Sequence, residues 1–324
     1  EGEPIVVDQT KVVSQLFDKD LTLIANSREN SIIFFSKKDT STVYAYKYFS
    51  TREKRIQQAW FTWTLNGTIQ HLAVLDDALY VVLRNNSKDT LEKIAIKVDT
   101  DSFTSIDDKS TTDTSDDVSY RVHLDTSSEI SIADDKYNSG TNKTTITKPD
   151  GYNSTAQIVI YNNNVDSFDN GSYALVTVNG SNLEIAGDWS DQTKLVLGYN
   201  YDMEVKFPTI YNSKLSGDSM VVDTQGSLTI HRVKINFGGS GSYTTTLDRS
   251  GKSSTNYTET RESPQSDSYS SSKIAVNDLV TQTIPVYEKN KNFNLIIKST
   301  HPTPATVYSM TWEGDYTTNY YQRV

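Results

Sequence analysis

The chain has 324 residues and a net charge of −10, from 31 Lys plus Arg against 41 Asp plus Glu. It contains no cysteine, which excludes disulfides, thiolate metal sites and cysteine nucleophiles. No apolar run approaches the ~20 residues that cross a bilayer as a helix, and an isoelectric point near 4.9 argues against a broad grip on DNA phosphates.

Twenty Tyr, 10 Phe and 4 Trp set the chain apart from disordered compositions. With few aliphatics and much Thr, this composition favours strands over helices. The chain begins at Glu1 without a signal-peptide stretch, and reads as an expression product, a processed product or a piece of something longer.

Strand signals run from one end to the other. Tyr44, Tyr46 and Tyr48 alternate with Val43, Ala45 and Lys47. Thr51–Phe61 is the best helix candidate, although the Trp60–Trp63 pair and its neighbours suit a loop entering a strand equally well. Leu79–Leu83 and Leu195–Leu197 read as strands buried on both faces. Ile94–Val98 and Met203–Phe207 show a period of two. Leu228, Ile230, Val233, Ile235 and Phe237 form a long alternating run with one slip at His231–Arg232, which predicts a β-bulge. Gly238, Gly239 and Gly241 predict a hairpin turn into a strand near Tyr243. Asn66–Gly67, Asp150–Gly151, Asn170–Gly171 and Asn179–Gly180 suit tight hairpin turns. The pattern predicts an all-β sandwich, barrel or propeller with very little helix.

Charge divides the chain unevenly. Residues 99–135 hold 11 acidic residues against Lys109 and Arg121, which is −9 of the total −10. Residues 248–272 are a polar Ser/Thr/Asn stretch, read as an exposed loop or arm.

No catalytic constellation emerges. His71, His123, His231 and His301 have no partner at metal-ligand spacing, and there is no Gly-x-Ser-x-Gly elbow and no phosphate-cradling loop with its Lys. The acidic window matches no calcium loop. No cofactor, metal or catalytic residue is expected, and the chain reads as a non-enzyme. Seven Asn-x-Ser/Thr sequons are discounted in a composition so rich in Asn, Ser and Thr.

Several blocks carry a family resemblance. They are Lys194-Leu-Val-Leu-Gly-Tyr-Asn-Tyr-Asp-Met-Glu-Val, Gln225-Gly-Ser-Leu-Thr-Ile-His-Arg-Val-Lys-Ile-Asn-Phe and Gly241-Ser-Tyr, then Asn292-Phe-Asn-Leu-Ile-Ile-Lys-Ser and Pro302-Thr-Pro-Ala-Thr-Val-Tyr-Ser-Met-Thr-Trp-Glu-Gly-Asp-Tyr. Their order and spacing resemble the C-terminal part of the tail nozzle proteins of short-tailed phages, the tail tubular protein B family. Upstream, Ser41-Thr-Val-Tyr-Ala-Tyr-Lys-Tyr-Phe, Gln58-Ala-Trp-Phe-Thr-Trp-Thr-Leu and Ala73-Val-Leu-Asp-Asp-Ala-Leu-Tyr-Val-Val resemble that family's propeller blades. Family members are much longer, so the chain reads as a C-terminal portion.

The resemblance implies partial β-propeller blades over 1–98 and a platform-like C-terminal β-sandwich over 191–324; residues 99–190, which have no counterpart in the family's pattern, read as an acidic loop region with an inserted β-domain. It implies a structural virion protein: a hexameric ring below the portal-adaptor ring, contacting tail fibres or spikes and the host surface, through which double-stranded DNA passes without specific binding. On that reading Asp107, Asp108, Asp113, Asp116 and Asp117 are candidates for an acidic lumen, and Tyr316, Tyr320, Tyr321 and Arg323 for a docking interface. An alternative is a carbohydrate-binding or polysaccharide-degrading tail protein, which would gather Trp60, Trp63, Trp189 or Trp312 and two carboxylates in one open groove.

Overall fold

The computed structural model describes residues 8–11, 13–50, 55–85, 87–97, 103–107, 118–152, 157–162, 171–216, 219–252, 257–261 and 276–318. Every regular element there is a strand, apart from short 3₁₀ turns at Ser14–Leu16 and Asp134–Lys136. Two compact units emerge: Glu1–Asp101 with Lys148–Ala156, and Ser102–Thr147 with Gln157–Val324.

The first unit holds two antiparallel meanders. Strands β1 (Leu23–Ser27), β2 (Ile32–Ser36), β3 (Thr42–Ser50) and β4 (Arg55–Thr64) pair in sequence order. So do β5 (Thr68–Leu75), β6 (Ala78–Asn85) and β7 (Lys88–Ala95). Thr51–Phe61 therefore contributes to a strand from Arg55 onward, because Trp60 and Trp63 pair across from Tyr46 and Val43. Val43, Ala45, Ile69, Leu79 and Val81, with the aromatic Phe34, form the shared core. Leu79, Val81 and Leu83 are buried while Tyr80 and Val82 are half-buried, so β6 alternates and is not buried on both faces. The tyrosines of β3 take the opposite face. There Phe17 packs edge-on against Phe35 and Trp60 at 5.5 and 5.3 Å, and Tyr46 donates to Gln9 and Gln58. Asn66–Gly67 joins two different sheets instead of closing a hairpin. Residues 148–156 return to this unit. Lys88 meets Asp150 at 2.7 Å, Asn85 donates to the Gly151 carbonyl at 3.1 Å, and Tyr152 is buried.

The second unit begins with a short pair, β8 (Phe103–Asp107) and β9 (Val118–Arg121). A seven-stranded sheet follows. It is made of β10 (Asp125–Ile132), β11 (Tyr137–Asn138), β12 (Lys143–Thr147), β13 (Ile158–Asn162), β14 (Tyr173–Asn179), β15 (Asn182–Ala186) and β16 (Gln192–Tyr199), in the order β10-β16-β13-β14-β15-β12-β11. Asn179–Gly180 makes a true hairpin here. Asn179 pairs with Asn182, and Gly180 takes φ +59°, a conformation that glycine adopts without strain. Central strand β13 is buried at every position.

The rest of this unit is a sandwich. One sheet combines β17 (Met203–Lys206), β21 (Tyr243–Arg249), β22 (Tyr257–Arg261) and β24 (Phe293–Ser299) in the order β17-β24-β21-β22. The other places β20 (Ser227–Ser240) between β23 (Asn277–Lys289) and β25 (Thr306–Thr317). In chain order a two-stranded ribbon comes between β17 and β20, β18 (Asn212–Ser216) with β19 (Ser219–Asp223). The polar stretch 248–272 includes β22, which pairs with β21.

The alternation along β20 fixes the core. Leu228, Ile230, Val233, Ile235 and Phe237 are buried against Tyr243, Leu247, Ile284, Val286, Leu295 and Ile297. The register of β20 slips between Ile230 and Arg232 on both sides, so the bulge at His231 is real and keeps the apolar residues on one face. The Gly-rich segment behaves differently from the hairpin reading. β20 continues through Gly238 and Gly239 to Ser240, and β21 pairs with β22 and β24, not with β20. Gly241 therefore lies at a corner between sheets. A Cβ there would sit 2.4 Å from the Thr303 Cβ, so the close packing at this corner requires glycine.

One polar pair interrupts the apolar core. Gln282 and Thr245 are fully buried, and the Thr245 hydroxyl donates to Gln282 Oε1 at 2.8 Å. Removing only the donor leaves a buried carbonyl unsatisfied, which costs roughly 1–3 kcal/mol. Thr245→Val is expected to lower the stability of the chain by about that amount in urea titrations. Adding Gln282→Leu is expected to restore most of the loss. Glu288 makes a second prediction. It is almost fully buried and bound by Lys252, by the Lys289 amide and by Asn292, with Lys252 the dominant influence, and its pKa falls from 4.5 to about 2. Folding favours the ionised form, so the stabilisation is complete above pH ~4.5 and is lost as pH falls toward 2. Glu288→Gln should flatten the stability profile in that window and lower stability near neutrality, as read by thermal midpoints against pH.

Candidate assembly surface

The outward face of the β23–β20–β25 sheet collects the side chains that its core leaves over. Cross-strand neighbours there interact directly. Asn236 donates to the Ser309 hydroxyl at 2.9 Å and accepts from the Thr281 hydroxyl at 2.9 Å, which laces all three strands. Two turns of the pleat further on, Glu313 takes both Arg232 at 2.6 Å and Lys234 at 3.2 Å. Lys234 first and Arg232 second hold its carboxyl below the usual range. The bulge turns His231 outward, 3.2 Å from Asp315 and stacked on Tyr287 at 6.0 Å. These ion pairs are exposed and each contributes little stability; they define a polar, patterned surface.

Apolar groups mark both ends of this face. At one end Leu279 is 69% exposed and Tyr308 66% exposed. The two flank Gly238, whose missing side chain leaves room for the Tyr308 ring. At the other end stands the β18–β19 ribbon, with Val221 and Val222 about half exposed. Its base is fixed to the sandwich. Tyr316 lies over Gly226 and donates its hydroxyl to Asp223, Asn290 donates to the Ile210 carbonyl at 2.7 Å, and Lys291 to the Thr224 carbonyl at 3.0 Å.

Of the residues expected to dock, Tyr316 is described. It is half-buried on the inner side of β25, packed against the sandwich core, and its hydroxyl serves the chain's own ribbon. Tyr320, Tyr321 and Arg323 lie outside the described residues. Asp107 ends β8, and Asp108, Asp113, Asp116 and Asp117 lie outside the described residues. Among described acids, Asp134 and Asp191 face each other, and the charge on Asp191 raises the pKa of Asp134. Among the described residues no cluster of His, Asp and Glu could hold a metal ion.

Within each unit the tryptophans are set apart. Trp60 and Trp63, three apart on β4, point to opposite faces. Trp189 is buried with its Nε1 on the Ala186 carbonyl, and Trp312 packs into the sandwich. The sequence reading missed Leu279, Tyr287, Tyr308, Val221 and Val222. A signal was present for two of them. Val307-Tyr308 and Val286-Tyr287 each place two large apolar residues side by side where strict alternation allows one, and both sit at register slips.

The family model described as bacteriophage nozzle protein matches residues 2–323. The chain belongs to that family. Nozzle proteins are structural components of the phage tail, and this chain is therefore a structural protein of the virion tail. No curated protein matches it. Within the nozzle chain the Tyr316–Asp223 contact predicts a measurable role. Tyr316→Phe removes a hydrogen bond to a carboxylate, worth about 1.5–3 kcal/mol. Amides of residues 212–223 should lose hydrogen-exchange protection in this variant while those of β20 keep theirs.

Proposed function

We propose that this nozzle protein assembles as a closed, hexameric ring whose channel conducts double-stranded DNA out of the particle. The match to the nozzle family over residues 2–323 carries the reading. In this reading residues 1–98 contribute propeller blades, residues 99–190 an inserted β-domain, and residues 191–324 the platform, with a polar arm near 248–272. The adaptor ring of the portal docks on one side, fibres or spikes attach outside, and the tail end meets the host surface. Tyr320, Tyr321 and Arg323, following β25, would join one of these contacts.

The charge distribution supports a passive conduit. DNA carries about one negative charge per 1.7 Å of its axis. A wall of like sign repels it and lets it slide, whereas a basic wall holds it. The −9 concentrated in residues 99–135 suits such a lining, with Asp107, Asp108, Asp113, Asp116 and Asp117 as its core. The protein acts by geometry and repulsion and performs no bond chemistry.

Native mass spectrometry with negative-stain imaging tests the assembly. Rings with a central hole are expected, and a compact monomer at all concentrations would count against the reading. In a ring reconstruction, residues 99–135 on the outer rim with a basic channel would dismiss the acidic lining.

A further inference from the structure

We infer that the β18–β19 ribbon is an assembly arm, and that it is taken up by a second copy of this chain as added strands on the open edge of β25. The inference deepens the ring reading above and rests on it for the partner's identity.

The arm is physically incomplete. Its strands pair only with each other among the described residues. Two-stranded ribbons are marginal in water unless a third strand or a packing face supports them. Adjacent strand residues point to opposite faces, and Val221 and Val222, adjacent on β19, are 51% and 52% exposed. Each face of the ribbon thus carries a half-exposed valine. The base is nonetheless held by Tyr316, Asn290 and Lys291, so the sandwich positions the ribbon from that end.

The same unit carries a matching acceptor. The sandwich sheet containing β20 has two edges, and they differ. Edge strand β23 carries Pro285, which has no N–H to give, followed by Tyr287 at φ +47°. Both features block further pairing. Edge strand β25 holds no proline and no lysine from Thr306 to Thr317, and keeps a continuous register with β20 from Ser309 to Glu313. Among the described residues nothing pairs with its outer side. Strand addition to such an edge gives main-chain hydrogen bonds to both partners.

Size selects a second copy as the occupant. Each arm strand has five residues, about 17 Å long, and the two lie about 5 Å apart. Such a ribbon covers on the order of a few hundred Å², well below the roughly 1,200 Å² of a stable one-to-one interface. One arm would hold a foreign partner poorly. In a closed ring each copy gives one arm and receives another, so every subunit is held twice by a heterologous contact.

The chain has no cysteine, so single-cysteine variants report cleanly. Val221→Cys and Val222→Cys copies would each be mixed with Ser309→Cys, Thr311→Cys or Glu313→Cys copies under mild oxidation at assembling concentration. A covalent dimer is expected in at least one arm–edge mixture, at least tenfold above either variant alone. Val221→Lys/Val222→Lys, at exposed sites that leave the thermal midpoint unchanged, should weaken assembly at least tenfold by native mass. Wild-type rings with no mixed dimer, or rings undiminished by the lysine variant, overturn the arm and leave the ring reading standing. A wild-type chain that stays monomeric and yields no mixed dimer overturns both.

Discussion

Backbone pairing along β20 is the constraint on which the sandwich depends. In a chain without cysteine, order must come from strand ladders and from the apolar face that they bury. β20 is the central strand of its sheet, bonded to β23 on one side and β25 on the other. Its inner residues meet the opposite sheet at Tyr243, Leu247, Leu295 and Ile297. A one-residue slip would turn all of them to water. The bulge at His231 absorbs such a slip locally, and both neighbours adjust at the same point. That adjustment also gathers His231, Arg232, Tyr287, Glu313 and Asp315 on the outer face. The interior packing and the exterior pattern thus share one origin.

Strand content was legible because its signal is local. Alternation needs only neighbouring residues, and it located β20 with its bulge as well as β3 and β17. Pairing partners were not legible. The Gly-rich segment at 238–241 has hairpin chemistry, yet the chain turns a corner there and changes sheet. Turn residues set φ and ψ; they do not say which ladder the next strand joins. Asn66–Gly67 misled for the same reason. The seven-stranded order β10-β16-β13-β14-β15-β12-β11 depends on contacts far apart in sequence. So does the bond from Tyr316 to Asp223, which ties the last strand to the chain's own ribbon.

Membership of the nozzle family gives these features a setting. The surface of this tail component is built in grades. The centre of the outer sheet face is a ladder of polar bonds. Its ends are apolar: Leu279 with Tyr308, and the ribbon valines. Exposed ion pairs such as Arg232–Glu313 contribute little to stability, so their arrangement is better suited to selecting partners than to holding the fold together.

The path of the chain through the two units has a mechanical consequence. The backbone passes from the first unit to the second near Asp101, returns at Lys148, and leaves again after Ala156. Three covalent connections join the units where a simple tandem arrangement would have one. A cut at the first crossing leaves residues 1–101 attached through their noncovalent contacts with the 148–156 segment. The middle segment is held in the first unit by the buried Tyr152 and by the Asn85 bond to the Gly151 carbonyl, the exposed Lys88–Asp150 pair adding little. With both units folded, a load across their junction divides among three crossings where one linker would bear it alone.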